Sequence, residues 1–257
     1  TTRMASTFNN KKTVIFGASS GIGAAVAKRF AALGAEVIVH YNGNKAGAES
    51  VVQAIKDSGG KAHLLAGDVS QAEVAERLVN EAAAKLGRLD IVINNAGNMF
   101  GRTAISKATD EQYHNVIDLN IGGVFFACRR AAAILQEQKS GTIINTTSVA
   151  ARTGGGDGAG LYGAAKGFVS TITRVLAKEL APFGVRVNAV APGVIETDFH
   201  RKNSTPEQLA GAIKGIPLGR LGTSEECVGA FEFLADESMS GYITGQVIEV
   251  NGGQLMP

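Results

Sequence analysis

Cysteine is scarce in this sequence. Its 257 residues include two cysteines, Cys128 and Cys227, each within a segment of helical pattern. Neither lies at the spacing of a zinc site, and two cysteines do not make a disulfide framework. We therefore expect two packed thiols in a reducing cytosol and no bound metal ion.

Long apolar runs and net charge are lacking as well. No uninterrupted run of about 18 apolar residues occurs, and the first residues lack the basic-then-apolar layout of a signal peptide. The formal net charge is +2 and aromatic residues make up 6% of the chain, whereas a nucleic acid-binding surface needs a basic stripe interleaved with aromatics. We expect a soluble cytoplasmic protein whose partner is a small molecule, with no membrane or nucleic-acid partner.

Length and apolar content favour one large domain. With 45% hydrophobic residues, a chain of 257 can bury the core of a single α/β domain. We place this domain at residues 11–257, with residues 198–219 as an insertion that covers the substrate. Residues 1–10 are expected to form a disordered tail, in which Thr1, Thr2 and Arg3 precede Met4 and are foreign to the natural chain.

A glycine-rich segment follows the first apolar run. Residues 14–16 predict a strand, and Gly17, Gly21 and Gly23 precede or open a helical pattern that continues to Ala31. Glycines at this spacing let the chain turn sharply, bring backbone amides close to a diphosphate, and pack the helix on the sheet. A tight loop without a ligand is the alternative. Because strands and helices go on alternating afterwards, we favour a dinucleotide site.

The end of the second predicted strand bears on the choice of dinucleotide. In folds that use NAD, an Asp or Glu about 20 residues beyond the glycines accepts hydrogen bonds from the adenosine ribose. Here Tyr41 and Asn42 occupy that place, with no carboxylate to repel a 2′-phosphate. The nearby side chains that can donate hydrogen bonds to a phosphate are Ser19, Asn42, Asn44 and Lys45. The sequence favours NADP and leaves NAD as the alternative.

Two further predicted strands also end in polar residues. Asp68 follows the third strand, where its carboxylate can accept from an adenine amino group or cap the helix that begins near Gln71. Residues 94–97 (NNAG) follow the fourth strand, and their side chains either leave room for a ring or form a structural turn. Both positions lie at the sheet edge where open parallel sheets bind ligands.

The next helical pattern is interrupted. Residues 110–139 are long enough for one helix, but Asn120 lies in its middle and Gly122 and Gly123 follow directly. A polar residue and two glycines lower helix stability. Because Asn can divert a backbone carbonyl from the helix, we expect a kink or a functional role here.

Tyr162 and Lys166 are the strongest pair of candidate catalytic residues. They are four apart at the start of a predicted helix and therefore share one face. A neighbouring ammonium stabilises a phenolate and lowers the tyrosine pKa towards the range in which proton transfer is efficient. Such a pair alone is also typical of a solvated helix face. Ser148, at the end of the fifth strand, and Asn120 favour the catalytic interpretation.

From residue 12 to residue 253, the chain resembles a classical short-chain dehydrogenase/reductase. The motifs that carry this resemblance are residues 17–23 (GASSGIG), Asp68 with Val69, residues 94–97 (NNAG), Asn120, Ser148, Tyr162 with Lys166, Pro192 with Gly193, and Thr197. The resemblance implies a single-domain Rossmann fold. Its doubly wound parallel sheet would have seven strands in the order 3-2-1-4-5-6-7, with helices on both faces.

The resemblance also assigns roles to the catalytic candidates. It implies that Tyr162 donates the proton to a carbonyl, that Ser148 polarises the same oxygen, and that Asn120 holds a water for proton relay. Lys166 would bind the nicotinamide ribose and lower the Tyr162 pKa.

Contacts with the dinucleotide follow from the same resemblance. Asp68 would contact adenine, Asn94 and Gly97 would flank the adenosine ribose, and Thr197 would hold the carboxamide together with the backbone near Ile195. The full set of expected cofactor-binding residues is Gly17, Ser19, Ser20, Gly21, Ile22, Gly23, Tyr41, Asn42, Asp68, Val69, Asn94, Ala96, Gly97, Tyr162, Lys166, Pro192, Gly193, Ile195 and Thr197.

Three positions depart from the family pattern. Phe16 replaces the usual Thr before the first glycine, which alters support of the turn. Asn98 stands where an aliphatic residue is usual and places a polar group near the substrate cavity. Ser20 occupies a position at which many NADP-dependent relatives carry a basic residue, which weakens the case for NADP.

These features predict an NADP-dependent enzyme that interconverts a ketone or aldehyde and an alcohol, assembled as a homotetramer or homodimer. One alternative is a 3-oxoacyl-carrier-protein reductase, which residues 241–245 and 251–253 resemble and whose acidic carrier Arg129 and Arg130 could meet. An alternative of another class is a regulatory module that binds a dinucleotide without chemistry.

Overall fold

Seven parallel strands form one sheet in a computed structural model that describes residues 8–256. Their order is β3-β2-β1-β4-β5-β6-β7, so the predicted fold class is confirmed. The strands are β1 (Lys12–Phe16), β2 (Glu36–Tyr41), β3 (Lys61–Ala66), β4 (Ile91–Asn94), β5 (Gly141–Thr146), β6 (Val185–Pro192) and β7 (Val247–Val250). The order reverses between β1 and β4, which creates the crevice in which such sheets bind ligands.

Helices connect the strands and cover both faces of the sheet. They are α1 (Gly21–Ala32), α2 (Lys45–Asp57), α3 (Ala72–Leu86), α4 (Asp110–Ile117), α5 (Gly123–Gln138), α6 (Ala150–Thr153), α7 (Gly160–Leu180), α8 (Asp198–Asn203), α9 (Pro206–Lys214), α10 (Ser224–Ala235) and α11 (Glu237–Ser240). No helix within residues 8–256 combines the length and apolar character needed to cross a bilayer.

Alternation along β1 explains why both faces carry a core. Successive side chains of a strand point to opposite faces, so Val14 packs with α3, α5 and α7 while Ile15 packs with α1, α2 and α10. Both side chains are fully buried. The two cores hold the sheet rigidly, which positions the loops at the carboxyl ends of its strands.

The helical pattern over residues 110–139 is broken as expected. Between α4 and α5, Asp118–Gly122 forms one turn of π-helix that contains Asn120. The Asn120 side-chain amide donates to the Val116 carbonyl, four residues earlier, at 2.8 Å. Because this carbonyl accepts from a side chain, the regular helix ladder is interrupted at the one buried polar residue of the segment.

Two sequence-based boundaries are corrected. The sequence predicts a last strand over residues 243–250, but β7 begins at Val247, and Thr244 and Gln246 before it bind β6 through hydrogen bonds that involve a side chain. The predicted tail also ends earlier than expected. Phe8 is buried and its ring lies 4.8 Å from that of Phe30, and the Asn10 amide donates to the Gly34 carbonyl at 3.0 Å, whereas residues 1–7, including Thr1–Arg3, lie outside the described residues.

Candidate active site

A cavity of about 620 Å³ lies at the carboxyl ends of β1, β2, β4, β5 and β6. It brings together most of the residues singled out in the sequence. Those that line it are Gly17, Ser19, Ser20, Gly21, Ile22, Tyr41, Asn42, Asp68, Val69, Ala96, Gly97, Ser148, Tyr162, Lys166, Pro192, Gly193, Ile195 and Thr197. Gly23, Asn94 and Asn120 do not line it.

The glycine-rich turn approaches its neighbours too closely for side chains. Gly17 has φ +76°, and a Cβ there would lie 2.7 Å from the Ala96 Cα. A Cβ on Gly23 would overlap the Gly17 carbonyl oxygen. Ser20, at the N-cap of α1, makes no side-chain capping bond, so the first amides of α1 are free of a side-chain acceptor. A bare helix N-terminus behind a close-packed turn fits a diphosphate.

His40 supports this turn and was missed in the sequence. Its Nδ1 accepts from the Gly17 amide at 3.1 Å, and its Nε2 donates to the Gly67 carbonyl at 2.9 Å. Burial lowers the pKa of His40 to about 4, so the ring is neutral near pH 7. It also packs on Phe16, with ring centroids 5.1 Å apart. In the sequence, the only indication of this role is that a histidine lies near the end of an apolar strand.

Just after β2, two of the expected phosphate donors, Asn44 and Lys45, already bind other groups of the protein. Asn44 lines the cavity but its side chain accepts from the Gly47 amide at 3.1 Å and so caps α2. Lys45 does not line the cavity, and its ammonium lies 3.6 Å from the Glu49 carboxylate. Asn42 lines the cavity and is therefore the best placed of these donors.

Asp68 does not cap α3, whose N-cap is Gln71, but it binds the residue before that cap. Its Oδ1 accepts from the Ser70 amide at 3.0 Å and from the Ser70 hydroxyl at 2.7 Å. These bonds hold the turn that leads into α3. Asp68 also lines the cavity, so its structural role is compatible with contact to a ligand.

The expected contact between Asn94 and a cofactor is not supported. Asn94 is buried between β4 and β5, where its amide donates to the Asn145 side chain at 2.8 Å. Its neighbour Asn95, which belongs to the same motif but was not among the expected cofactor-binding residues, donates to the Gly17 carbonyl at 2.8 Å. The strand end thus holds the glycine-rich turn through Asn95, while Asn94 joins the sheet.

Tyr162, Ser148 and Lys166 meet at one end of the cavity. Ser148 and Tyr162 line this end together, and the Ser148 side chain is close enough to the phenol to act on its pKa. The Lys166 ammonium lies 5.6 Å from the centre of the Tyr162 ring and donates to the Thr146 carbonyl at 2.9 Å. Lys166 is 2% exposed, so the start of α7 buries this side chain beside the tip of β5 and does not present a solvated face.

The pKa of Tyr162 departs from the sequence-based expectation. Burial raises it, because the phenolate loses its hydration, and the Ser148 hydrogen bond opposes this shift in part. The sequence-based expectation was a Tyr162 pKa lowered by Lys166, whereas the net shift of the Tyr162 pKa is upwards. Burial lowers the pKa of Lys166 itself to about 8. The phenol therefore holds its proton near neutral pH and is a weaker acid than an exposed tyrosine.

Asn120 leaves one acceptor without a partner beside Lys166. Its Nδ2 donates to the carbonyls of Val116 and Asn98, at 2.8 and 2.7 Å. Its Oδ1 is buried and has no hydrogen-bond partner among the described residues. A Cβ on Gly97 would lie 2.9 Å from this oxygen and 3.1 Å from the Lys166 Nζ. Both groups border the same small space, which fits a bound water.

The segment after β6 closes the catalytic end of the cavity. Thr197 lies against Gly21, since a Cβ on that glycine would be 3.3 Å from the Thr197 Cγ2. Phe199, in α8, packs on the Tyr162 ring with centroids 5.4 Å apart. Asn98, the polar departure from the family pattern, lines the cavity and accepts from the Asn203 side chain at 3.3 Å.

The cysteines are packed thiols. Cys128 and Cys227 are both buried, and burial raises the pKa of each to about 12. Within residues 8–256, no three His, Cys, Asp or Glu side chains cluster as metal ligands would.

Comparison with known proteins extends along nearly the whole chain. A family model described as enoyl-(acyl carrier protein) reductase matches residues 17–254. An uncharacterized oxidoreductase of Methylorubrum extorquens is 41% identical over 250 residues, which cover 96% of this chain and 99% of that protein. The 3-oxoacyl-[acyl-carrier-protein] reductase of Synechocystis is also 41% identical, over 95% of this chain and 96% of its own length.

Solved structures share the fold at lower identity. The crystal structure of the NADH-dependent reductase A1-R′ complexed with NAD superimposes with a TM-score of 0.87 at 33% identity. The match covers 99% of this chain and 100% of that one.

Proposed function

Because the chain belongs to the short-chain dehydrogenase/reductase family, we propose that it reduces a small carbonyl substrate with NADPH, reversibly, through Tyr162. Its enzyme class follows from the family, since the relatives that it matches are named as oxidoreductases or reductases, one of them NADH-dependent. The alternative of a regulatory module without chemistry therefore finds no support. The cofactor preference, the role of Tyr162 and the substrate are the substance of the proposal.

The observation that carries the proposal is that Tyr162 and Ser148 line the same end of the cavity, with their side chains close together and the Lys166 ammonium beside the phenol ring. A carbonyl oxygen bound there would accept from both hydroxyls. Tyr162 would give its proton to this oxygen as negative charge develops, and Ser148 would stabilise the charge. Lys166, with the unpaired Asn120 oxygen nearby, would return a proton to Tyr162 through water.

The bound dinucleotide would supply the hydride from its nicotinamide. The glycine-rich turn and the N-terminus of α1 would hold its diphosphate, and Asp68 would lie at its adenine. Pro192, Gly193, Ile195 and Thr197 would hold the nicotinamide end beside Tyr162.

NADP is proposed because residues 41–44 contain no Asp or Glu that would repel a 2′-phosphate. Asn42 lines the cavity there and can donate to the phosphate. NAD is the alternative, and the similar reductase A1-R′ is NADH-dependent. The test is a panel of ketones, aldehydes and alcohols assayed separately with NADP(H) and NAD(H). Higher kcat/KM with NADPH supports the proposal, and higher kcat/KM with NADH refutes this part of it.

Reduction of a 3-oxoacyl-carrier-protein is the second candidate, favoured by the 41% identity to the Synechocystis enzyme. The two arginines considered for carrier docking already have partners. Arg129 pairs with Glu76 at 2.6 Å, and Arg130 donates to the Asn80 side chain. We therefore rank a free carbonyl compound above a carrier-bound one. Comparing kcat/KM for a 3-oxoacyl-carrier-protein and a free ketone separates the two.

A cytoplasmic homotetramer or homodimer completes the proposal. Val175 on α7 and Phe183 just after it are each 39% exposed, and exposed apolar side chains on one helix end suit a subunit contact. Sedimentation velocity would show a dimer or tetramer, whereas a monomer at micromolar concentration would contradict this part.

A further inference from the structure

Arg102 is a positively charged residue that lines the cavity but takes no part in the proton transfer proposed above. It lies in the segment between β4 and α4 and lines the same cavity as Tyr162. Its position relative to Tyr162 follows from ring contacts. Phe199 packs on Tyr162 and His200 packs on Phe199, with centroids 5.1 Å apart, and the charge of Arg102 reaches His200. Arg102 and Tyr162 therefore share this cavity and have neighbouring contacts on α8.

Neutral groups bind only part of the Arg102 guanidinium. Its Nε donates to the Asn203 carbonyl at 2.8 Å, Nη1 to the Asp157 carbonyl at 3.0 Å, and Nη2 to the Ser204 hydroxyl at 3.2 Å. A guanidinium has five N–H groups, so each terminal nitrogen keeps one N–H. Arg102 forms no ion pair with a carboxylate in the part of the chain that the structure describes.

Other charges around the cavity do not neutralise it. Asp198 is paired with Arg201 at 2.6 Å, and Asp68 serves Ser70 at the adenosine end. Asp157 is exposed and acts on Arg102 through its charge without an ion pair. The segment after β6 that covers the cavity, residues 198–219, is called the lid here. His200 is a titratable side chain of this lid, and it is neutral near pH 7 because burial lowers its pKa to about 4.

We infer that Arg102 binds a carboxylate of the substrate, so that the preferred substrates are oxo acids and hydroxy acids. A half-buried guanidinium with free N–H groups and no ion-paired carboxylate is a strong donor site for a substrate carboxylate, since charge-assisted bonds gain most away from bulk water. The inference rests on the proposed carbonyl reduction and adds the chemical class of its substrate.

The competing explanation is purely structural. The three bonds of Arg102 join the segment after β4 to the loop after α6 and to the end of α8, so Arg102 also holds the lid. Loss of this hold would affect charged and uncharged substrates alike. Loss of a carboxylate site would affect charged substrates alone, and this difference provides the test.

The experiment compares two oxo acids, acetoacetate and levulinate, with their methyl esters. In Arg102→Gln, kcat/KM for the acids should fall at least about tenfold further than kcat/KM for the esters, which report the loss of the hold on the lid alone. Ser204→Ala removes one bond of the lid and keeps the charge, so its acid-to-ester ratio should equal that of the wild type. Arg77→Gln, which removes an exposed charge on α3 that pairs with Glu81, is the control for net charge.

Equal losses for acids and esters in Arg102→Gln would overturn the inference, and so would a wild type that prefers the esters. A second measurement needs no variant. Butyrate should compete with methyl acetoacetate for the wild-type enzyme and butyramide should not, and equal inhibition by the two would also overturn it. If the wild type reduces no carbonyl compound with either dinucleotide, the proposed function itself fails, which is a distinguishable result.

Discussion

Two buried polar residues, His40 and Asn120, act through the backbone groups that they bind. His40 bridges the Gly17 amide and the Gly67 carbonyl, and so joins the ends of β1 and β3. Asn120 takes the Val116 carbonyl and leaves its own oxygen beside Lys166. A buried polar group is costly unless it is paired. These contacts therefore restrict the movement of the backbone groups that His40 and Asn120 bind beside the cavity.

Removing the His40 acceptor should weaken the glycine-rich turn. His40→Leu leaves the Gly17 amide without its partner, and we expect a loss of about 1–3 kcal/mol in the free energy of unfolding. The dissociation constant for NADPH should rise as well. His40→Asn, whose side-chain oxygen can take the place of Nδ1, should recover part of both. Urea denaturation and fluorescence titration measure these changes, and an unaltered dissociation constant in His40→Leu would contradict the role assigned to His40.

Among elements, those predicted best were the strands and the turns between them. The apolar, β-branched run Glu36–Tyr41 coincides with β2, because a buried parallel strand needs little beyond such a run. The run Lys61–Ala66 coincides with β3 and is bounded by Gly60 and Gly67, although it contains no β-branched residue. The kink at Asn120 was also foreseen, because a polar side chain and glycines conflict with a regular helix. The motifs of the resemblance identified most residues that line the cavity.

Properties that depend on distant neighbours were not predictable. The rise in the pKa of Tyr162 follows from burial under α8 and β5, which no local pattern reports. The core position of Asn94 depends on Asn145 in the adjacent strand. Arg102 and His40 also act across long sequence separations, so their roles appear only once the loops are in place.

The close approach at Gly97 makes a prediction for the segment after β4. In Gly97→Ala, the new methyl group would press on the Asn120 oxygen and the Lys166 ammonium. We expect kcat/KM to fall about tenfold or more, because small displacements of catalytic groups are costly. Gly229→Ala, in α10 with open space around it, is the matched control and should keep full activity. Full activity in Gly97→Ala would show that this space is not needed.

At the scale of the whole molecule, one sheet brings the site together. Parallel strands end at the same edge, so the glycine-rich turn after β1, Asp68 after β3 and Ser148 after β5 surround one cavity although they are far apart in sequence. Cores on both faces keep these ends in place. The lid after β6 then supplies Phe199, which packs on the Tyr162 ring.

The central claim is that Tyr162 donates the proton, and turnover of Tyr162→Phe tests it most directly. Phenylalanine keeps the ring that packs on Phe199 and removes the hydroxyl. We predict that kcat falls at least about a hundredfold, while the dissociation constant for NADPH stays within about twofold of the wild-type value. Tyr242→Phe, at a fully exposed tyrosine, should leave both unchanged. Wild-type turnover by Tyr162→Phe would contradict the account.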